Sequence, residues 1–144
     1  MIFEHVLEIY ALLLASVFLH ELGHFAVAKI IGLYNITLHI GDRFFSVHIG
    51  RFYISPFMFK GGGIDYYDED LSRFSIYKKV MFFGSGVFVN LLMLAAGYIW
   101  SKSNVLYGDS FMWINVYLII QNIIPLKWLD NDGYKIWLTC FKNK

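Results

Sequence analysis

The sequence predicts a membrane α-helical protein: three transmembrane helices, a small antiparallel β-sheet at the membrane surface between the first two, and a short amphipathic helix at the C-terminal end. Three observations predict it. Apolar residues make up 58 % of the 144 residues and aromatics 19 %, and the mean hydropathy is +0.53, where soluble domains hold about 45–50 % apolar residues. Apolar runs at residues 6–33, 80–100 and 110–126 approach or exceed the roughly 20 residues that cross a hydrocarbon core. Between the first two runs, at 34–59, the pattern changes to short β-branched and aromatic stretches broken by Gly-Asp and Gly-Arg pairs, the punctuation of strands and hairpins.

The first run is interrupted only by His20, Glu21, His24 and Lys29. Lys29 lies close enough to the end to snorkel to the interface, Gly23 suits close helix packing, and Gly32 suits a helix stop. The N-terminal residues carry Glu4 and Glu8 and no Lys or Arg; a signal peptide would start with a positively charged stretch, so this segment is expected to be a retained span. Strands are expected at 36–40, 44–49 and 52–57, with hairpins at Gly41-Asp42 and Gly50-Arg51. Open sheet edges are not tolerated in hydrocarbon, which places the sheet in the interface or under protein. His39 and His48 fall in these strands without ligand spacing to a partner and are read as surface or interfacial. Lys60-Gly61-Gly62-Gly63 lacks the Lys-Ser/Thr of a phosphate loop and reads as a flexible connector. Asp65, Asp68, Glu69 and Asp70 follow as a solvated acidic loop.

The second run holds 21 residues without a charge. Gly84-Ser85-Gly86 allows close packing there, and Asn90 must find a partner inside the bundle, either gluing helices or steadying a substrate or oxyanion. The third run is the shortest, at 17 residues, and ends in Gln121-Asn122-Ile123-Ile124-Pro125, where Pro125 breaks the helix. After an irregular turn, Asp132 is expected to cap a final amphipathic helix over 134–141. Arg43, Arg51, Lys60, Arg73, Lys78 and Lys79 lie between spans one and two. Lys127, Lys135, Lys142 and Lys144 follow span three, and only Lys102 lies between spans two and three. The positive-inside rule then sets N-out, C-in, in what is expected to be a bacterial cytoplasmic membrane. The net charge of +1 gives no reason to expect a nucleic-acid partner, and the single Cys140 excludes an internal disulfide. The whole chain, 1–144, is expected to form one membrane-embedded domain.

Chemistry concentrates at His20-Glu21-Leu22-Gly23-His24. On a helix, the i, i+4 spacing puts both imidazoles on one face, where they can hold one Zn²⁺, with Glu21 beside the metal as general base. With this chain's own His and Glu content, a chance match has a probability of roughly half a per cent. Catalytic zinc takes three protein ligands, and the topology returns Asp130 and Asp132 to the depth of the histidines.

These residues resemble the site-2 proteases, intramembrane zinc metalloproteases. His20-Glu21-Leu22-Gly23-His24 with Ala28 and Gly32 is similar to that family's first core helix, Gly86 and Asn90 to its second-helix pattern, and Asn122-Ile123-Ile124-Pro125 with Asp132-Gly133 to its third-helix motif. Val87 stands where a Pro is usual and Lys127 where a second Pro is common. The resemblance implies that the Asp of the third motif ligates zinc. The Asp-Gly pair favours Asp132, whereas counting from Asn122 favours Asp130 as the alternative. It further implies an endopeptidase, with His20, His24 and Asp132 holding one zinc ion per chain and Glu21 and Asn90 serving catalysis. The substrate would be a membrane protein or peptide, with the bilayer as surroundings and a regulatory membrane partner as a further expectation. An edge of the sheet could hold the substrate by strand addition. The alternative is a zinc-binding membrane protein without proteolytic activity, with a regulatory or immunity role.

Overall fold

The first helix runs on past the predicted start because nothing in residues 2–5 opposes it. A computed structural model describes residues 2–42, 45–57, 61–103 and 107–142. Helix α1 spans Ile2–Ile31 and ends in a left-handed cap at Gly32 (φ +93°). The Gly32 N–H donates to Lys29 C=O at 3.2 Å and the Leu33 N–H to Ala28 C=O at 2.8 Å, the paired bonds of a Schellman motif. Arg43, Phe44, Lys60 and Lys144, which enter the expected strands and the charge count, lie outside the described residues, as does Phe59 at the end of the expected sheet region.

The sheet is mixed, which corrects the all-antiparallel expectation. Strands β1 (Thr37–Ile40), β2 (Val47–Ile49), β3 (Phe52–Ile54) and β4 (Gly62–Asp65) lie in the order β2-β3-β1-β4. Gly50-Arg51 makes the expected hairpin, closing the Ile49↔Phe52 pair. Gly41-Asp42 does not: β1 pairs in parallel with β3 and antiparallel with β4. The reason is burial. Leu38 and Ile40 are almost completely buried, packed in a cluster with Val17 of α1, so β1 takes a central position with a neighbour on each side. Its second neighbour is the glycine stretch expected to be a connector. A Cβ at Gly62 would stand 2.7 Å from Glu21 Cγ, and one at Gly63 2.8 Å from the His39 ring. Only bare backbone passes there, so the glycines form an edge strand.

Within the acidic stretch, a short helix α2 covers Asp68–Ser72. Helix α3, Ile76–Lys102, is longer than expected at both ends. Helix α4, Gly108–Ile123, has 16 residues and reaches about 24 Å, short of the ~30 Å hydrocarbon core. It stops before the expected position because Ile124, preceding Pro125, is extended (ψ 120°). Thus two helices, Glu4–Ile31 and Ile76–Lys102, are long and apolar enough to span a membrane; three spans were expected.

Helix α3 packs against both α1 and α4, which also meet each other at Val17 and Leu118. Gly23 packs against the Ser85 carbonyl and Gly97 against Met112, where a Cβ would meet backbone at 3.0 and 2.9 Å respectively. Past Pro125, a 3₁₀ turn at Lys127–Leu129 leads into α5, Asp132–Phe141. The cap of α5 is Asn131, whose side chain accepts the Tyr134 N–H at 3.0 Å. The expected cap, Asp132, is instead the first helical residue, and its carboxylate is left for other partners.

Candidate metal centre

The i, i+4 pair meets the start of α5 at a single point. His20 Nε2 and His24 Nε2 are 3.2 Å apart, and Asp132 Oδ2 lies 3.2 Å from the first and 3.1 Å from the second. All three residues are buried, with 4–8 % exposed. Tetrahedral zinc with ligands at about 2.0–2.1 Å holds its donors about 3.3–3.4 Å apart, close to this triangle.

The outer hydrogen bonds decide which ring nitrogens are available. The Phe82 carbonyl, which can only accept, lies 2.7 Å from His24 Nδ1, so that nitrogen carries the proton. For His20 the polarity is relayed. Asn115 Nδ2 donates to the Phe111 carbonyl at 2.9 Å, which turns its Oδ1 toward Asn90. Asn90 Nδ2 donates to that oxygen at 2.9 Å, and Asn90 Oδ1 then accepts from His20 Nδ1. Asn115 Nδ2 also reaches Ser16 Oγ at 3.3 Å. Both neutral rings therefore present lone pairs at Nε2, beside a carboxylate oxygen. Three converging acceptors with no donor between them call for a cation, and a divalent metal meets all three at once. Without metal, burial works to raise the pKa of Asp132, but a protonated His20 or His24 would donate to it and hold the carboxyl well below the usual range. The ionised form is the one that ligates.

Gly86 closes the site from α3. A Cβ there would fall 2.4 Å from both Nε2 atoms. On the open side lies a cavity of about 240 Å³, whose walls include His20, Glu21, His24, Gly62, Tyr66 and Asp132. Glu21 is buried at 7 % exposure, with β4 passing over it.

Among the described residues, His20, His24 and Asp132 are the group that could hold a metal ion. Asp130, the alternative ligand, also borders the cavity but points elsewhere: its side chain is 70 % exposed and pairs with Lys135 Nζ at 3.6 Å. Asn90 is fully buried, with both ends of its amide committed to His20 and Asn115. It faces the imidazole and not the cavity, so it acts on His20 as a positioning residue. His39 and His48 remain in the sheet; the first lies 3.6 Å from Asp65 and the second 2.6 Å from the Gly50 carbonyl.

Two residues central to the geometry had not been singled out. Asn115 sets the polarity just described; inside an apolar run it carried the same signal as Asn90, a polar side chain that must find a partner in the bundle. Asn131 fastens the broken end of α4 to α5. Its Nδ2 donates to Gln121 and Ile124 carbonyls at 2.5 and 2.6 Å, and its Oδ1 accepts from the Leu126 and Tyr134 N–H groups. Its signal was available as an N-cap residue one position before Asp132. If Asn90 orients His20, Asn90→Ala should weaken zinc binding about 10- to 100-fold in a competition titration with a chromophoric chelator. An unchanged affinity would remove that role.

No family model, curated protein or solved structure matches the chain.

Proposed function

We propose that this chain is a zinc-dependent intramembrane endopeptidase of the site-2 protease type, hydrolysing peptide bonds of membrane-embedded or membrane-proximal substrates. The observation that carries this reading is the meeting of two Nε2 atoms and one carboxylate oxygen within 3.1–3.2 Å of one another, with Glu21 on the wall of the same cavity.

The membrane setting has support in what the helices expose. In the most apolar window of α1 only 22 % of residues are buried, and in that of α3 44 %, whereas the core helix of a water-soluble protein is mostly buried. Phe88, Leu91 and Leu92 of α3 and Trp113, Tyr117 and Ile120 of α4 face outward, while Ser16, Asn90 and Asn115 are enclosed. Such a surface suits lipid and would aggregate in water. In our reading α4 is a third span that thins the bilayer locally to match its length. The basic residues then set N-out, C-in.

When bound, zinc would supply Lewis-acid polarisation of the scissile carbonyl and a more acidic attacking water. The chain's own groups do the rest. Asn90 and the Phe82 carbonyl hold the two imidazoles in the tautomer that faces inward. Glu21 takes the proton released by the attacking water on a carboxylate oxygen and delivers it to the departing amide nitrogen. A substrate helix hides its peptide bonds, so the substrate must unwind locally; β4, an edge strand whose Gly62, Gly63 and Ile64 border the cavity, can hold it extended by backbone pairing.

The test is cleavage of a tagged single-span substrate by purified protein in detergent. Chelator should stop cleavage and added zinc restore it. Cleavage indifferent to chelator, or none from protein carrying stoichiometric zinc, would overturn the proposal.

A further inference from the structure

A second cavity, of about 650 Å³, adjoins the first and shares Tyr66, Phe83, Asp130 and Lys135 with it. It is walled by α2, α3 and α5. The charged side chains on its described walls are Lys79, Lys135, Lys142 and Asp130, three cations against one anion. That anion is already engaged, since Asp130 Oδ2 lies 3.6 Å from Lys135 Nζ. Lys135 stands on the boundary between the two cavities. The surplus of positive charge therefore lies on the far side from the metal ligands, where it can select an anion by charge.

We propose that this lysine-lined cavity receives an acidic segment of the substrate as the chain leaves the catalytic cavity, and so selects substrates with Asp or Glu on one flank of the cleaved bond. The proposal rests on the peptidase reading for the direction of the chain. One feature favours a polypeptide over a lipid headgroup, and a second favours an acidic segment over a neutral one. The cavity shares four wall residues with the one where a peptide would be cut, so a chain running past Lys135 would come up against it. The Asp130–Lys135 pair at the boundary provides an exchange partner: an incoming carboxylate can replace Asp130 on Lys135, whereas a neutral segment would leave that pair closed.

Binding is measured apart from cleavage, with the Glu21→Gln protein in neutral detergent. The probes are fluorescent single-span peptides whose flank carries a run of Glu, of Gln or of Lys, read by anisotropy. The Glu flank should bind about tenfold tighter than the Gln flank, the sum expected from a few partly exposed charge pairs. That preference should weaken with salt. In Lys79→Glu/Lys142→Glu the order should invert toward the Lys flank, with zinc content unchanged. Lys142→Glu alone, at an exposed position, should halve the preference or more if the double variant fails to fold. Equal binding of all three flanks, or a Glu preference that survives the reversals, would overturn the proposal. So would its disappearance when a little phosphatidylglycerol is added, since the cavity would then be a headgroup site. Acidic peptides that bind as stated but are never cut by the zinc-loaded wild type would instead count against the peptidase reading.

Discussion

Gly86→Ala is expected to empty the metal centre without straining the backbone of the helix that carries it. The added methyl would sit 2.4 Å from Nε2 of both His20 and His24 and 2.6 Å from His20 Cε1. Carbon and nitrogen not bonded to each other prefer about 3.5 Å, so both rings must retreat by about 1 Å. Metal sites tolerate ligand displacements of only about 0.2 Å. The rings cannot swing freely either, because each Nδ1 is tied to Asn90 or Phe82. Backbone strain is not the cause: position 86 lies inside α3, and alanine there should add about 0.5–1 kcal/mol of helix stability. Gly84, two residues earlier, is a control within the same helix, since a Cβ there meets nothing within 4 Å. Elemental analysis should find zinc in wild type and Gly84→Ala and nearly none in Gly86→Ala, which without metal should melt lower than Gly84→Ala by the equivalent of the ~1–3 kcal/mol that overpacking costs. Full zinc in Gly86→Ala would mean that the metal sits somewhere else.

What could be read in the sequence depended on how local the responsible physics is. His20 and His24 were legible because one helical turn fixes their relation. Asp132 was legible less sharply: two aspartates follow the same broken helix, and spacing alone could not separate them. The separation comes from Asn131. By capping α5 and gripping the α4 carbonyls it rotates Asp132 inward, while Asp130, in the left-handed region at φ 47°, turns outward to Lys135. The sheet order was not legible, because it depends on how much of β1 must be buried against α1, which no pattern within residues 36–57 states. The glycine stretch 61–63 was misread for a related reason. Glycine ordinarily marks flexible chain, but here the absence of side chains admits β4 between Glu21 and His39. Asn90 had two open meanings, and its partner Asn115, 25 residues away, selects between them.

Glu21→Gln should lower turnover by a factor of about 10² to 10⁴, the usual contribution of a general base, or roughly 3–5 kcal/mol of transition-state stabilisation. The amide keeps the size and shape of the carboxylate, so its fit beneath Gly62, where a Cβ would lie 2.9 Å from Glu21 Oε1, is preserved. What it loses is the ability to carry a proton. Glu21 directly follows His20 and so projects about 100° around the helix from it, onto the cavity wall and outside the ligand triangle. Zinc stoichiometry should therefore stay at the wild-type level, and the loss should appear in kcat with KM nearly unchanged, since the residue acts on the reacting proton and not on substrate binding. This pattern separates an enzyme from a zinc-holding protein without activity. For the latter, Glu21 is a buried polar group beside a metal and its amide should serve equally well. Should Glu21→Gln cut the tagged substrate as fast as wild type, the proton carrier would have to be another group on the cavity wall, and the peptidase assignment would lose its chemical centre.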